Sequence, residues 1–185
     1  MNTIQYKPGE VLISSDEIRK RLEELAIQIA KKYKGKKLLI VGILKGAFKL
    51  TADLTSELHK QGLTDLEISF FTLKSYPDGT RAKYEPKIIQ DMDINPEGRH
   101  VLLVDDVLDT GRSLQIIHKL TESKKAKSIE SLALVDKPEK RQVDYKTDYV
   151  GFTLSDIWLQ GYGMDTAEVG RADPNIIVGP YAYEV

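Results

Sequence analysis

The chain has 185 residues, 41% hydrophobic and 30% charged, with a formal net charge of −1 and no cysteine. That balance fits one soluble globular domain with a substantial core and excludes a disordered chain. The near-zero charge supplies no basic field for nucleic acid or an anionic membrane, and the lack of cysteine excludes disulfide and thiolate chemistry.

The opening stretch, MNTIQYKPGEVLISSDEI, has neither the basic nor the long apolar region of a signal peptide, and no apolar run reaches membrane-spanning length. A soluble, cytoplasmic protein is expected. Ser14 and Glu17 have capping-box spacing ahead of a helix near 15–34, whose apolar residues Ile18, Leu22, Leu25, Ile29 and Tyr33 share one face. KKLLIVGIL (36–44) reads as a buried strand, followed by a helix from Gly46 to about His59. Strands are predicted at 66–73, 87–90, 100–105, 128–135, 149–154 and 176–179, with a helix near 112–123. Between 74 and 86 lies a turn-rich excursion, KSYPDGTRAKYEP, which suits a lid or a surface connection.

Alternating strands and helices predict an α/β domain around a mainly parallel twisted sheet, in which ligands bind beyond the carboxyl ends of the strands. Leu44-Lys45-Gly46, Asp105 to Ser113 and Asp136-Lys137 all follow predicted strands and so converge on one edge. The richest segment is VLLVDDVLDTGRSL (101–114). Asp105 and Asp106 alone could be solvated loop acids. Asp109-Thr110-Gly111-Arg112-Ser113 adds a glycine that permits close backbone approach, hydroxyl donors and the unpaired amides of a helix start. Carboxylates suit hydroxyls and a hard cation, and the helix start suits a phosphate. A ligand carrying all three fits the segment as a whole.

VLLVDDVLDTG meets every term of the signature of the purine phosphoribosyltransferases, and the chain resembles their hypoxanthine-guanine branch through VGILKGAF (41–48), Ser75-Tyr76, LVDKPEKR (134–141) and DYVGFTLSDIWLQGYGMD (148–165). The resemblance implies a type I phosphoribosyltransferase fold over 1–185. A small hood would come from the N-terminal segment and about 150–185, and a lid from 74–86, with Ser75 and Tyr76 closing over the reaction. It implies transfer of phosphoribose from phosphoribosyl pyrophosphate to N9 of a 6-oxopurine, with Mg²⁺ as cofactor. Asp105 and Asp106 would meet the ribose hydroxyls, directly or through the metal, and Asp109 through Ser113 would wrap the 5′-phosphate. Asp109 would also serve as general acid/base toward purine N7.

The same resemblance makes Leu44-Lys45-Gly46 the pyrophosphate loop, often with a cis peptide between its first two residues, and has Arg171 hold pyrophosphate. Trp158 would stack on the purine beside the Leu159 backbone, and Asp165, also counted with the purine-binding residues, would bind a second Mg²⁺ through water. A homodimer or homotetramer is implied. Lys137 adds an argument of its own: an ammonium has only donors, so aimed at purine position 6 it favours a carbonyl over an amino group. Compared with the branch, Asp105 stands where Glu is frequent, Trp158 where Phe or Tyr is usual, and Ser113 where Thr is common. His59, His100 and His118 lack metal-ligand spacing and are expected to be structural.

Two rival readings differ in class. A nucleotide-sensing RNA-binding regulator could share the fold, but Asp109, Lys137 and Asp165 are retained and no basic face is evident. A response-regulator receiver domain also puts paired aspartates after a strand, yet it leaves Thr110 to Ser113 and Trp158 without a purpose.

Overall fold

The computed structural model describes residues 6–74 and 87–179. Ser75, Tyr76 and nearly all of the expected lid lie outside the described residues. The chain runs β1 (Val11–Ile13), α1 (Ser15–Tyr33), β2 (Leu38–Leu44), α2 (Phe48–Lys60), β3 (Leu66–Lys74), β4 (Lys87–Gln90), β5 (His100–Leu108), α3 (Arg112–Ser123), β6 (Ser128–Asp136), β7 (Tyr149–Thr153), β8 (Leu159–Gln160) and β9 (Ile176–Val178). The expected α/β architecture is present.

α1 starts where its capping box predicts. The Glu17 amide donates to Ser14 Oγ at 3.3 Å, and the Ser14 amide donates to Glu17 Oε2 at 2.8 Å. Its predicted apolar face, from Ile18 to Tyr33, is buried. α2 begins at Phe48, two residues later than predicted, because Lys45 to Ala47 form a turn that includes the site loop.

The main sheet has six strands in the order β4-β3-β2-β5-β6-β7, all parallel except the β3–β4 pair. Successive strand residues point to opposite faces. Leu38, Ile40, Leu102, Val104, Leu132 and Leu134 pack with α1 and α2, while Leu39, Val41, Val101, Leu103 and Ala133 pack with Leu114 and Ile117 of α3. Both faces are therefore covered, which explains why these strands are continuous apolar runs instead of alternating ones. Truncating one such residue, as in Leu102→Ala, would cost about 2–5 kcal/mol.

A second, three-stranded antiparallel sheet has the order β1-β9-β8. It joins the two ends of the chain: Gly9 N–H donates to the Val178 carbonyl, and Val178 N–H to that of Glu10, each at 2.8 Å. Tyr162 Oη donates to Asp53 Oδ2 at 2.6 Å, fastening the following segment to α2.

In the main sheet, β2 leads through α2 to β3 on one side, and β5 leads through α3 to β6 on the other. The direction of winding reverses between β2 and β5. Such a switch point opens a crevice at the carboxyl ends of its two strands.

Candidate active site at the sheet switch point

β5 runs on to Leu108, three residues beyond its predicted end, so Asp105 and Asp106 lie within the strand and not after it. The β2–β5 ladder ends at Gly42 and Val104, whereas β5 stays paired with β6 through Leu108 and Asp136. From Asp105 onward one edge of β5 is thus free to face the crevice. The acids cap their own strand there. Asp106 N–H donates to Asp105 Oδ1 at 3.1 Å, and Val107 N–H to Asp106 Oδ1 at 3.0 Å.

Alternation sends the two side chains different ways. Asp105, 7% exposed, lines a small pocket with Asp109, Thr110, Gly111 and Ser113. The pocket's volume is about 50 Å³, several times the ~10–15 Å³ that admits one water. Asp106 instead packs on the loop after β2, where a Cβ on Gly46 would fall 1.9 Å from its Oδ2. Burial, and then the charge of Asp106, push the Asp105 carboxyl well above the usual carboxylate range. Burial also raises the Asp106 carboxyl, with the Arg171 charge pulling the other way.

The Leu44–Lys45 peptide is cis, as the sequence resemblance implied. Behind Gly46 lies Gly163, where a Cβ would come within 2.0 Å of the Gly46 carbonyl oxygen. Asp106, Gly46 and Gly163 are packed so closely that a Cβ on either glycine would force a neighbour to shift.

The Asp105-to-Ser113 loop ends in Gly111, the N-cap of α3, with φ of 83°, a region that suits glycine. No side chain caps the helix, although the Thr110 hydroxyl accepts the Arg112 amide at 3.4 Å. A helix start of this kind is available to an anion. Asp109 Oδ1 is buried and has no hydrogen-bond partner, a costly state in a folded protein unless a ligand completes it.

One residue with no individual signal in the sequence holds this loop. Arg141 Nη1 donates to the carbonyl of Asp109 at 2.6 Å and to that of Leu108 at 3.2 Å, while Nη2 pairs with Asp136. Gln142 N–H adds a bond to the Thr110 carbonyl at 3.0 Å, and Lys137 N–H one to Leu108. The segment after β6 therefore clamps the loop after β5 from behind.

That same segment supplies Lys137, 7% exposed. Its Nζ donates to the Ile157 carbonyl at 2.5 Å. Burial lowers its pKa, opposed by the charges of Asp109 and Asp156. One residue on, Trp158 is 61% exposed, with Nε1 donating to Thr166 Oγ1 at 2.8 Å. The chain's one tryptophan is therefore not core packing, and its ring is held at one edge with its surface accessible. Leu159 is buried in β8, paired with Val178 of β9.

Arg171 and Asp165 meet at 2.8 Å, and Arg171 Nη1 donates to the Gly163 carbonyl at 2.9 Å. Arg171 thus links Asp165 to the Gly163 backbone. The other Asp165 oxygen accepts the Glu168 amide at 2.8 Å. Glu168 in turn reaches Lys45. The sequence residues thus gather into three neighbouring groups: Asp105 to Ser113 with Gly46, Lys137 with Trp158 and Leu159, and Lys45 with Asp165 and Arg171.

Comparison with known proteins gives the family. The phosphoribosyl transferase domain model matches residues 14–167. The chain belongs to the phosphoribosyltransferase family. It is 40% identical to the hypoxanthine-guanine phosphoribosyltransferase of Bacillus subtilis, over 95% of this chain and 96% of that protein. The corresponding protein of Aquifex aeolicus is 37% identical, over 95% and 97%. The crystal structure of a hypoxanthine phosphoribosyltransferase from Staphylococcus aureus superposes with a TM-score of 0.86 at 37% identity, covering 95% of this chain and 94% of that one. Membership excludes the receiver-domain reading of the paired aspartates. His100, bonded to Ser128 Oγ at 2.7 Å, and His118, 3.1 Å from Tyr145 Oη, pack as structural residues in this phosphoribosyltransferase.

Proposed function

We propose that this phosphoribosyltransferase moves the 5-phosphoribosyl group from phosphoribosyl pyrophosphate to N9 of hypoxanthine or guanine. The products are the nucleoside monophosphate and pyrophosphate, a reaction of purine salvage. One observation carries the reading: the buried Lys137 ammonium donates to the carbonyl of Ile157, the residue before the exposed Trp158, and the Lys137 amide is bonded to Leu108 at the start of the Asp109-to-Ser113 loop. A 6-oxopurine laid on the indole would present its carbonyl to that donor, with its ribose-bearing edge toward the acids.

The uncapped start of α3 would take the 5′-phosphate, and Asp105 and Asp106 the ribose hydroxyls. Asp109, with its unpartnered oxygen, would accept a hydrogen bond from purine N7 and exchange the proton there as N9 becomes nucleophilic. Lys45 and Arg171 would hold the leaving pyrophosphate. The bond from N9 to C1 of ribose forms as the bond from C1 to the pyrophosphate oxygen breaks, inverting the anomeric carbon.

The donor set fits Mg²⁺. Asp105 and Asp106 offer hard carboxylate oxygens whose charges burial disfavours, so a cation would relieve them. Among the described residues, no three acidic or imidazole groups form a cage for a metal. Mg²⁺ would therefore share its ligands with substrate oxygens, its usual habit with phosphates. Asp165, with both oxygens in use, would reach a second ion through water. The bound metal supplies charge neutralisation of the departing pyrophosphate.

We further propose that the β1-β9-β8 sheet is the hood of the fold, that 74–86 with Ser75 and Tyr76 is the lid, and that the protein is a cytoplasmic homodimer or homotetramer. No helix among the described residues is long and apolar enough to cross a membrane. Product analysis tests the main reading. Incubation with phosphoribosyl pyrophosphate, Mg²⁺ and hypoxanthine should yield inosine monophosphate and an equal amount of pyrophosphate. Absence of both products would refute it.

A further inference from the structure

Lys45 and Arg171 meet at a single atom. Glu168 Oε2 accepts from Lys45 Nζ at 2.9 Å and from Arg171 Nη2 at 3.2 Å. The two cations come from loops on different parts of the fold, one after β2 and one between β8 and β9. Arg171 retains Asp165 and the Gly163 carbonyl as partners, and its buried Nε has no acceptor. The cation pair therefore has donor capacity beyond what the protein itself uses.

Glu168 is delivered there by an uncommon piece of backbone. Ala167 and Glu168 have φ of 51° and 67°, so two successive non-glycine residues occupy the left-handed region that L side chains avoid. Thr166 and Val169 close the turn through reciprocal backbone bonds of 3.0 and 3.1 Å, and Asp165 accepts the Glu168 amide. Stitched this way, the turn projects a side chain that is 67% exposed back over the two cations. Both cations hold the Glu168 carboxyl below its usual range, Lys45 most strongly.

An ordinary exposed ion pair joins one donor to one acceptor and contributes little. Here one carboxylate oxygen bridges two cations, as an oxygen of a phosphate would. Resting on the reading that Lys45 and Arg171 hold pyrophosphate, we propose that Glu168 is a resident stand-in for that anion. It occupies both cations in the empty site and gives them up when pyrophosphate arrives. Because displacing it opposes binding, it weakens the hold on the product and returns to the cations as pyrophosphate leaves. Cations with no internal partner would hold a polyanionic product longer, and product departure limits turnover in many enzymes.

The test is titration calorimetry of inorganic pyrophosphate with Mg²⁺ into the full chain, comparing wild type with Glu168→Gln. The amide is close in shape and leaves the backbone bond to Asp165 in place. Since exposed ion pairs are weak, pyrophosphate should bind about 3- to 10-fold more tightly to the variant. The KM for phosphoribosyl pyrophosphate should fall with it, and that for hypoxanthine should stay unchanged. Should Gln fail to fold, Glu168→Asn gives the same readout, since Asn tolerates the left-handed region. Equal or weaker pyrophosphate binding in the variant, with a wild type that makes nucleotide, overturns this proposal alone. A wild type that makes no nucleotide overturns the functional reading beneath it.

Discussion

Gly46 and Asp106 are packed so closely that a methyl group on the glycine would lie 1.9 Å from one carboxylate oxygen and 2.7 Å from the other. The loop expected to hold pyrophosphate and the acid expected to meet ribose are thus one packed unit, at the place where the sheet changes direction. The Gly46 carbonyl is closely packed too, 2.0 Å from where a Cβ on Gly163 would fall.

Gly46→Ala should consequently damage both halves of the donor-substrate site. Overpacking of this kind costs about 1–3 kcal/mol, so the melting temperature should drop. The KM for phosphoribosyl pyrophosphate should rise at least tenfold while that for the base moves little. Unchanged kinetics for both substrates would show that this packing is not needed.

Arg141→Met should act on the loop from behind. It leaves the carbonyls of Leu108 and Asp109 without their guanidinium and Asp136 without its partner. Hydrogen bonds to charged groups contribute about 1.5–3 kcal/mol, so affinity for phosphoribosyl pyrophosphate should fall roughly 10- to 100-fold. Isothermal titration measures this directly. Wild-type affinity in the variant would remove Arg141 from the site.

Asp105→Asn should separate stability from activity. The folded-state pKa of Asp105 is raised, so the folded chain holds a proton that the unfolded chain has released. Its contribution to stability is complete at low pH and is lost as pH climbs from the ordinary value of 3.8 through the raised one. At pH 8 the variant should therefore melt above wild type, with the gap closing in acid, while phosphoribosyl pyrophosphate binds less well. A lower melting temperature at pH 8 would contradict this.

Asp109→Asn keeps the shape and removes the basic oxygen. Turnover should fall about 10²- to 10⁴-fold, with the affinity for phosphoribosyl pyrophosphate near wild type. Stopped-flow or steady-state assays suffice, and unaltered turnover would end the acid/base assignment.

Much of this was legible in the residues because the main sheet is built from local, strongly patterned segments. α1 carries its own cap and stripe, and β2, β5 and β6 are apolar runs. The second sheet was only partly legible. β1 and β8 have three and two residues, and their pairing with β9 joins the two ends of the chain, which no local periodicity records. The end of β5 was hidden because two acids interrupt its apolar run although its pairing with β6 continues. Arg141 has no signal for a different reason: its bonds to the loop go to backbone carbonyls, which leave no mark in sequence. Glu168 could have been found, since Asp165, Glu168 and Arg171 recur at intervals of three.

Lys137 is the buried donor proposed to turn a phosphoribose site into one for 6-oxopurines. The most direct test is kcat/KM for hypoxanthine, guanine, xanthine and adenine, with wild type and Lys137→Gln. A site that pairs its buried donor only with a carbonyl discriminates by about 10⁴-fold or more. Wild type should therefore use hypoxanthine or guanine and leave adenine essentially untouched. The glutamine variant, able both to donate and to accept, should narrow that gap. Adenine turned over as well as hypoxanthine by the wild type would contradict the account.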